Sequence, residues 1–243
     1  MLGTLCTLIT ALTYVDAAKM VTQTPAVHTV STGQQVVLSC NIERDHGQYV
    51  SWYKQVPGEA PQFVLRFYHS HSSPNSFGTG FSSDRFDSKA SSDINYQLII
   101  KRTETGDSAQ YHCATWDDSA KEWVFGQGTK LTVTSSSLPP PVLTVFPPSR
   151  AELQSSEASL VCLSSQSVPF ADVSWFAAGS PVSSGISTST AVQQPDHTFQ
   201  ISSYLAIQTS DWNMEKVYTC KVSLGSQTAE KHIKKSDCPT EEQ

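Results

Sequence analysis

Cysteine is the residue type whose chemistry is most constrained by spacing in this 243-residue chain, which holds six. Cys40 and Cys113 stand 73 positions apart, Cys162 and Cys220 stand 58 apart, and Cys238 lies five residues from the carboxyl end. Metal ligation by cysteine uses short C-x-x-C steps, so intervals this long point to disulfides made in an oxidising compartment, one in each half of the chain. Cys238 is then left over and is expected to bond another polypeptide. Other chemistry has weaker support. Ser, His and Asp are numerous, but no serine sits in a nucleophile elbow, and no enzymatic activity is expected. His46, His69 and His71 fall near two loops, where solvated histidines are far commoner than metal ligands, so neither a metal nor any other cofactor is expected.

The sixth cysteine, Cys6, lies in an apolar run from Leu5 to Val15 that is broken by Thr7, Thr10 and Thr13 and is too short to span a bilayer. Val15 and Ala17 place small residues at positions −3 and −1 of a cleavage site before Ala18, so residues 1–17 read as a secretory signal peptide, although no Lys or Arg precedes the run. No second apolar run of membrane length follows, and no direct membrane span is expected. The formal charge of −6 becomes −5 when Asp16 leaves with the leader, an acidic balance that opposes nucleic acid as a partner.

The elements that must hold the cysteines repeat. Cys40 is followed by Trp52 and joined later by Tyr111-x-Cys113; Cys162 is followed by Trp175 and joined by Tyr218-x-Cys220. That set suits a two-sheet sandwich in which the disulfide ties the sheets, the Trp packs on it and the Tyr hydroxyl secures a corner. Short alternating runs rich in β-branched and aromatic residues agree: 36–40, 50–55, 63–68, 96–100, 109–115 and 130–133, then 143–146, 159–163, 173–176, 199–207 and 217–222. Between the halves, Ser135 to Pro141 has the composition of an extended linker. The first cysteine pair encloses 15 more residues than the second, room for the two extra strands of a variable-type sandwich, so the expected order is variable, then constant.

Strand periodicity also speaks to partners. With Trp52 in the core, Tyr53 and Gln55 face outward; with Leu160, Cys162, Leu205 and Ile207 inward, Val161, Leu163, Tyr204 and Ala206 face outward. Apolar side chains on both faces of a sheet imply that something covers the second face. Phe125-Gly126-Gln127-Gly128 adds two glycines where a bulge and a close backbone approach are easily made.

With these residues in place, the chain resembles an immunoglobulin light chain. The likeness covers everything after the leader: W-Y-K-Q from Trp52, P-G-E-A-P from Pro57, D-S-A-Q-Y-H-C ending at Cys113, F-G-Q-G-T from Phe125, V-F-P-P-S from Val145 and the near-terminal Cys238. Tyr204 and Trp212 look more lambda-like than kappa-like, and the whole is similar to lambda- or sigma-type chains of bony fishes. The resemblance implies an all-β fold of two tandem immunoglobulin β-sandwich domains, a V-type domain (18–134), the linker (135–141) and a C1-type domain with a C-terminal tail (142–243). It implies an antigen-binding chain, secreted or held at the cell surface by an immunoglobulin heavy chain. Tyr53, Gln55, Pro61, Phe63 and Phe125 would meet the heavy variable domain, Phe146, Ser149, Glu152, Val161, Leu163 and Tyr204 the first heavy constant domain, and Cys238 would carry the interchain disulfide. The antigen loops would be 41–49, roughly 68–77, and 115–124, offering Tyr49, Tyr68, Trp116 and Trp123 as aromatic area and Asp117, Asp118 and Ser119 as hydrogen-bonding groups. Trp123 is equally suited to packing on the partner domain. Arg85 and Asp107 match an ion pair at the far end, expected to be exposed and to contribute at most about 1 kcal/mol.

Two departures from the family pattern stand out. His112 occupies a position that usually presents an aromatic to the heavy chain, which suggests a more polar or pH-sensitive contact. The stretch from His69 to Ser83 is longer than usual, as in an enlarged second loop or a sigma-type or surrogate edge. A surrogate light chain, or a soluble antigen-receptor or adhesion subunit with an invariant ligand, is the competing reading. A T-cell receptor subunit would be expected to show a membrane span after its constant domain.

Overall fold

The computed structural model describes residues 19–44, 47–135, 138–196 and 198–238; the expected leader with Cys6, and His46, lie outside them. Among the described residues the first half contains eleven strands: β1 (Thr22–Thr24), β2 (Val27–Ser31), β3 (Val36–Asn41), β4 (Val50–Gln55), β5 (Gln62–Phe67), β6 (Ser76–Phe77), β7 (Phe86–Ala90), β8 (Asn95–Ile100), β9 (Ala109–Asp117), β10 (Glu122–Phe125) and β11 (Thr129–Thr134). One sheet runs β1-β3-β8-β7; the other runs β2-β11-β9-β4-β5-β6, with β10 paired to β9. All neighbours are antiparallel except β2 and β11, which run parallel. The extra pair β5 and β6 makes this the variable-type sandwich.

The second half holds β12 (Val142–Phe146), β13 (Glu157–Gln166), β14 (Asp172–Ala177), β15 (Ser180–Pro181), β16 (Ile186–Thr188), β17 (Val192–Gln193), β18 (Phe199–Gln208), the short helix α1 (Thr209–Asn213), β19 (Tyr218–Leu224) and β20 (Gln227–Ile233). Its sheets are ordered β12-β13-β18-β16 and β15-β14-β19-β20, the constant-type arrangement, with β17 alongside β18.

Each core is organised as its cysteines imply. Cys40 bonds Cys113 and Cys162 bonds Cys220, both joining the two sheets of their domain. Trp52 and Trp175 are fully buried beside them. The alternation is strict on β13, where Ala158, Leu160, Cys162, Ser164 and Gln166 are buried while Val161, Leu163 and Ser165 are half open. The Tyr111 hydroxyl donates to the carbonyl of Asp107 at 2.9 Å, and burial pushes that phenol's pKa far up.

Three details differ from the sequence-based expectation. Arg85 and Asp107 are not an exposed pair: the Asp107 side chain is 4% exposed, and Arg85 closes on it directly while also reaching Glu104 at 3.2 Å. Lys54 joins the cluster through the Gly106 carbonyl at 2.6 Å, and burial lowers its pKa against the opposing pull of Asp107. The pair is sequestered because a tight turn at Thr105–Asp107 folds the carboxylate back onto its own backbone, with the Glu104 amide donating to it at 2.8 Å. The segment after β5 is not one long loop. It makes a turn from Tyr68, rejoins the sheet as β6, and bends again where Phe81 packs edge-on against Phe86 at 5.0 Å. Cys238 does not sit on a free tail: a turn at Lys235–Asp237 holds it against the second core, and the Ser236 amide donates to Glu215 at 3.0 Å.

Candidate functional site

Three surfaces gather the residues singled out by the sequence. The first is the outer face of the larger sheet in the variable-type domain. Its register places Tyr53 on β4 opposite Phe63 on β5 and opposite His112 on β9. Tyr53 touches the Phe63 and Phe125 rings, each at 5.8 Å between centroids, and Phe125 remains 52% exposed. Pro61 is exposed at the edge, and Gln55 is half buried, its amide donating to the Glu59 carbonyl at 3.1 Å. An aromatic cluster this open is costly in water unless another surface covers it.

What holds β10 and β11 under this cluster was only half visible in the sequence. The buried amide of Gln23 accepts from the Cys113 and Gly128 amides at 3.0 and 3.2 Å and donates to the Tyr111 carbonyl at 2.9 Å. A β-carbon on Gly126 would lie 2.3 Å from the Gln23 oxygen, so F-G-x-G admits this amide as well as bending the strand. Gln127 completes the clasp, its side chain accepting from the Gln23 backbone N–H at 3.1 Å and donating to the Gln23 backbone carbonyl at 2.7 Å. Strand periodicity carries no signal for a buried glutamine; only the paired glycines hinted at a close neighbour.

The second surface is the outer face of β12, β13 and β18. Phe146, Val161 and Tyr204 form one row across three strands, with Phe146 and Tyr204 each 47% exposed and Val161 half buried. Leu163 lies half buried two residues along β13. Ser149 and Glu152, assigned to the same face, are engaged with each other. The Ser149 amide and hydroxyl both donate to the Glu152 carboxylate at 2.9 Å, and these bonds, the amide's first, hold the carboxyl's pKa below its usual range. This is a capping box, and S-x-x-E was readable in the sequence.

The third surface is the loop end. Tyr49 and Tyr68 meet at 5.3 Å, His71 and His69 pack on Tyr68 at 5.6 and 4.4 Å, and the Arg66 guanidinium lies 5.7 Å from the Tyr49 ring centre. Trp116 and Trp123 meet edge-to-face at 5.9 Å across β9 and β10. Asp118 links first and third loops, accepting from the Gln48 amide at 2.5 Å and from the Trp116 indole at 3.0 Å. The third loop is narrower than expected, because Thr115 to Asp117 belong to β9 and Glu122 to Val124 to β10. The second is shorter too, with Ser76 and Phe77 taken into β6. Among the described residues, no group of three His, Cys, Asp or Glu side chains is placed to hold a metal ion.

Asp117 does not face a ligand. The residue is 2% exposed, and its carboxylate accepts from the Ser119 hydroxyl at 2.8 Å and from the Ser119, Ala120 and Lys19 amides at 2.9 to 3.3 Å. These bonds, the Ser119 hydroxyl's first, push its pKa down to about 2. A carboxyl with a depressed pKa in the folded chain adds stability above its unfolded value, and that stability is lost as pH falls toward 2. The third loop is therefore expected to keep its shape at pH 4. Asp117→Ala should speed amide exchange at Ser119 and Ala120 at neutral pH, as hydrogen exchange followed by NMR would report. Unchanged protection there would mean that the carboxylate does not organise the turn.

The matches to known proteins agree with this architecture. The immunoglobulin V-set domain family matches residues 23–134, and the immunoglobulin C1-set domain family matches residues 143–226. A viral T-cell receptor beta chain-like protein of feline leukemia virus is 32% identical over 217 residues, covering 84% of this chain. The chain spans 66% of that relative's length. Taken with the sheet orders and the two inter-sheet disulfides, these matches establish that the chain belongs to the immunoglobulin-domain proteins, carrying a V-set domain followed by a C1-set domain.

Proposed function

We propose that this chain is an antigen-receptor subunit of the light-chain kind, lambda- or sigma-like, that pairs with a heavy chain through both domains and contributes its loop end to an antigen site. The observation that carries the reading is the presence, on each domain, of one outer sheet face bearing aromatics: half-buried Tyr53 in ring contact with exposed Phe125, and exposed Phe146 and Tyr204 in one row through Val161. The loop end lies beyond the first of these faces, and its aromatic area suits recognition of foreign surfaces. The role is binding rather than catalysis. Two internal disulfides suit an extracellular setting, and no helix among the described residues is long and apolar enough to cross a membrane. A T-cell-receptor-like chain is the second reading, favoured by the viral relative; the same faces would then meet a different receptor chain.

Cys238 would supply the covalent link. Its side chain is half buried, and burial first, then Asp237 and Glu215, raises its pKa, so little of it is thiolate at neutral pH. Co-expressed with a heavy-chain fragment of variable and first constant domains, the chain should run as a heterodimer in non-reducing electrophoresis and at its own mass after reduction. Cys238→Ser should abolish the linked band. A wild-type chain at its own mass under both conditions would contradict the assignment.

A further inference from the structure

The two domains meet away from the segment that joins them. Val56 follows β4 and opens the turn that Pro57 and Gly58 make. Its side chain is half buried and packs both ways, against the core of the V-set domain and against a small apolar cluster of the C1-set domain formed by Ala191, Phe199 and Ile201. Ala171 and Val173 tie that cluster to the second core. We infer that Val56 is the pin of a fixed elbow, which holds the V-set and C1-set domains at one angle so that they move as a single body rather than leaving the angle to the linker.

Other elements brace the same joint. Lys130 on β11 reaches across with its ammonium 4.6 Å from the ring centre of Phe170, close enough for cation–π attraction. At the end of β11, Thr134 lies against the turn between β19 and β20: a β-carbon on Gly225, whose φ of +59° also favours glycine, would stand 2.8 Å from the Thr134 methyl. The Lys130–Phe170 pair and the Ala191–Ile201 side of the cluster border one cleft of about 660 Å³, with Pro57 on the same wall as Val56's turn. The two contacts therefore stand apart across a gap, and that separation is what resists bending. A swing about Thr134 that preserves one of them must open or compress the other.

Two domains on one linker ordinarily move relative to each other unless the surface between them is large and hydrophobic. Here the apolar part is small, and the angle is set by where the contacts lie. Opening the joint returns the apolar surface of Val56 and of the cluster to water, which is unfavourable. A fixed elbow has a use in the pairing proposed above, because the outer faces of both domains are then offered in one arrangement, and a partner that meets the first is already placed for the second. The elbow itself does not depend on that pairing.

The test needs no partner chain. In the full chain carrying Cys238→Ser, which cannot form dimers through that thiol, residual dipolar couplings of the backbone amides are measured by NMR for each domain. One alignment tensor should fit both domains, oriented as in the structure. Val56→Asp places a carboxylate between the two apolar clusters; it should leave each domain folded and make the two tensor magnitudes part by about twofold or more, as for domains that move independently. Because Val56 also touches the first core, Phe170→Ala combined with Lys130→Ala removes the other contact from the surface and should produce a divergence in the same sense. Unequal tensors in the chain with Val56, Lys130 and Phe170 all present would overturn the fixed elbow. One tensor preserved in both variants would mean that the linker alone sets the angle, and would overturn the role given to Val56.

Discussion

Replacing both Cys40 and Cys113 with alanine should cost the V-set domain about 4 kcal/mol, because opening a loop of 73 residues restores the conformational freedom that the bridge removes from the unfolded chain. A domain with only about 5–15 kcal/mol to lose would be left near the edge of folding, with its melting temperature lower by roughly 15–20 °C. The bridge has no substitute across the sheets at that point, since Trp52 is already fully buried beside it and cannot move closer. The 58-residue loop of the second domain should respond similarly when Cys162 and Cys220 are replaced. Calorimetry of the two double variants would resolve one transition shifted in each. A fall of under about 5 °C in both would show that sheet packing alone holds the sandwiches, against the chain-entropy expectation.

The strands that carry the disulfides and the outer faces were legible because they alternate. Val50–Gln55 matches its expected bounds, and the central strands β3, β8, β9, β13, β14, β18 and β19 differ from theirs by a few residues at most. Apart from β12, the edges were not legible. β1 is Thr-Gln-Thr with one buried side chain, β7 has a single large apolar residue, and β20 reads Gln-Thr-Ala-Glu-Lys-His-Ile, with only Ile233 buried. Such strands are held by backbone pairing to a neighbour, which leaves little trace in side-chain type.

The site divides the same way. Phe63, Phe125 and Phe146 were expected there only from the resemblance to light chains, whereas Tyr53, Val161, Leu163 and Tyr204 could be placed by periodicity, since a buried residue on one face fixes its neighbours on the other. Asp117 could not, because its role depends on which way a carboxylate turns inside a hairpin, although Asp117-x-Ser119 is the pattern of a side chain that binds its own backbone two residues on. Asp107 was misjudged for a related reason: its burial comes from a tight turn, which hydrophobic patterning does not register.

The second large effect is expected on the face proposed for pairing. Phe125 is half exposed in the single chain, so Phe125→Asp leaves the fold intact, yet the same carboxylate would be driven among Tyr53, Pro61 and His112 when a partner closes over them. Central aromatic anchors of an interface contribute about 2–4 kcal/mol, and a buried unpaired charge adds to the loss, so the affinity should fall by at least about a hundredfold. Sedimentation of the Cys238→Ser chain with the heavy-chain variable–constant fragment measures this directly, because only the faces then hold the complex. A single heterodimer with Phe125 present, and two separate species once Phe125→Asp is added, is the predicted result; a wild-type face that leaves the two chains sedimenting apart would contradict the claim that these surfaces are made for a companion chain.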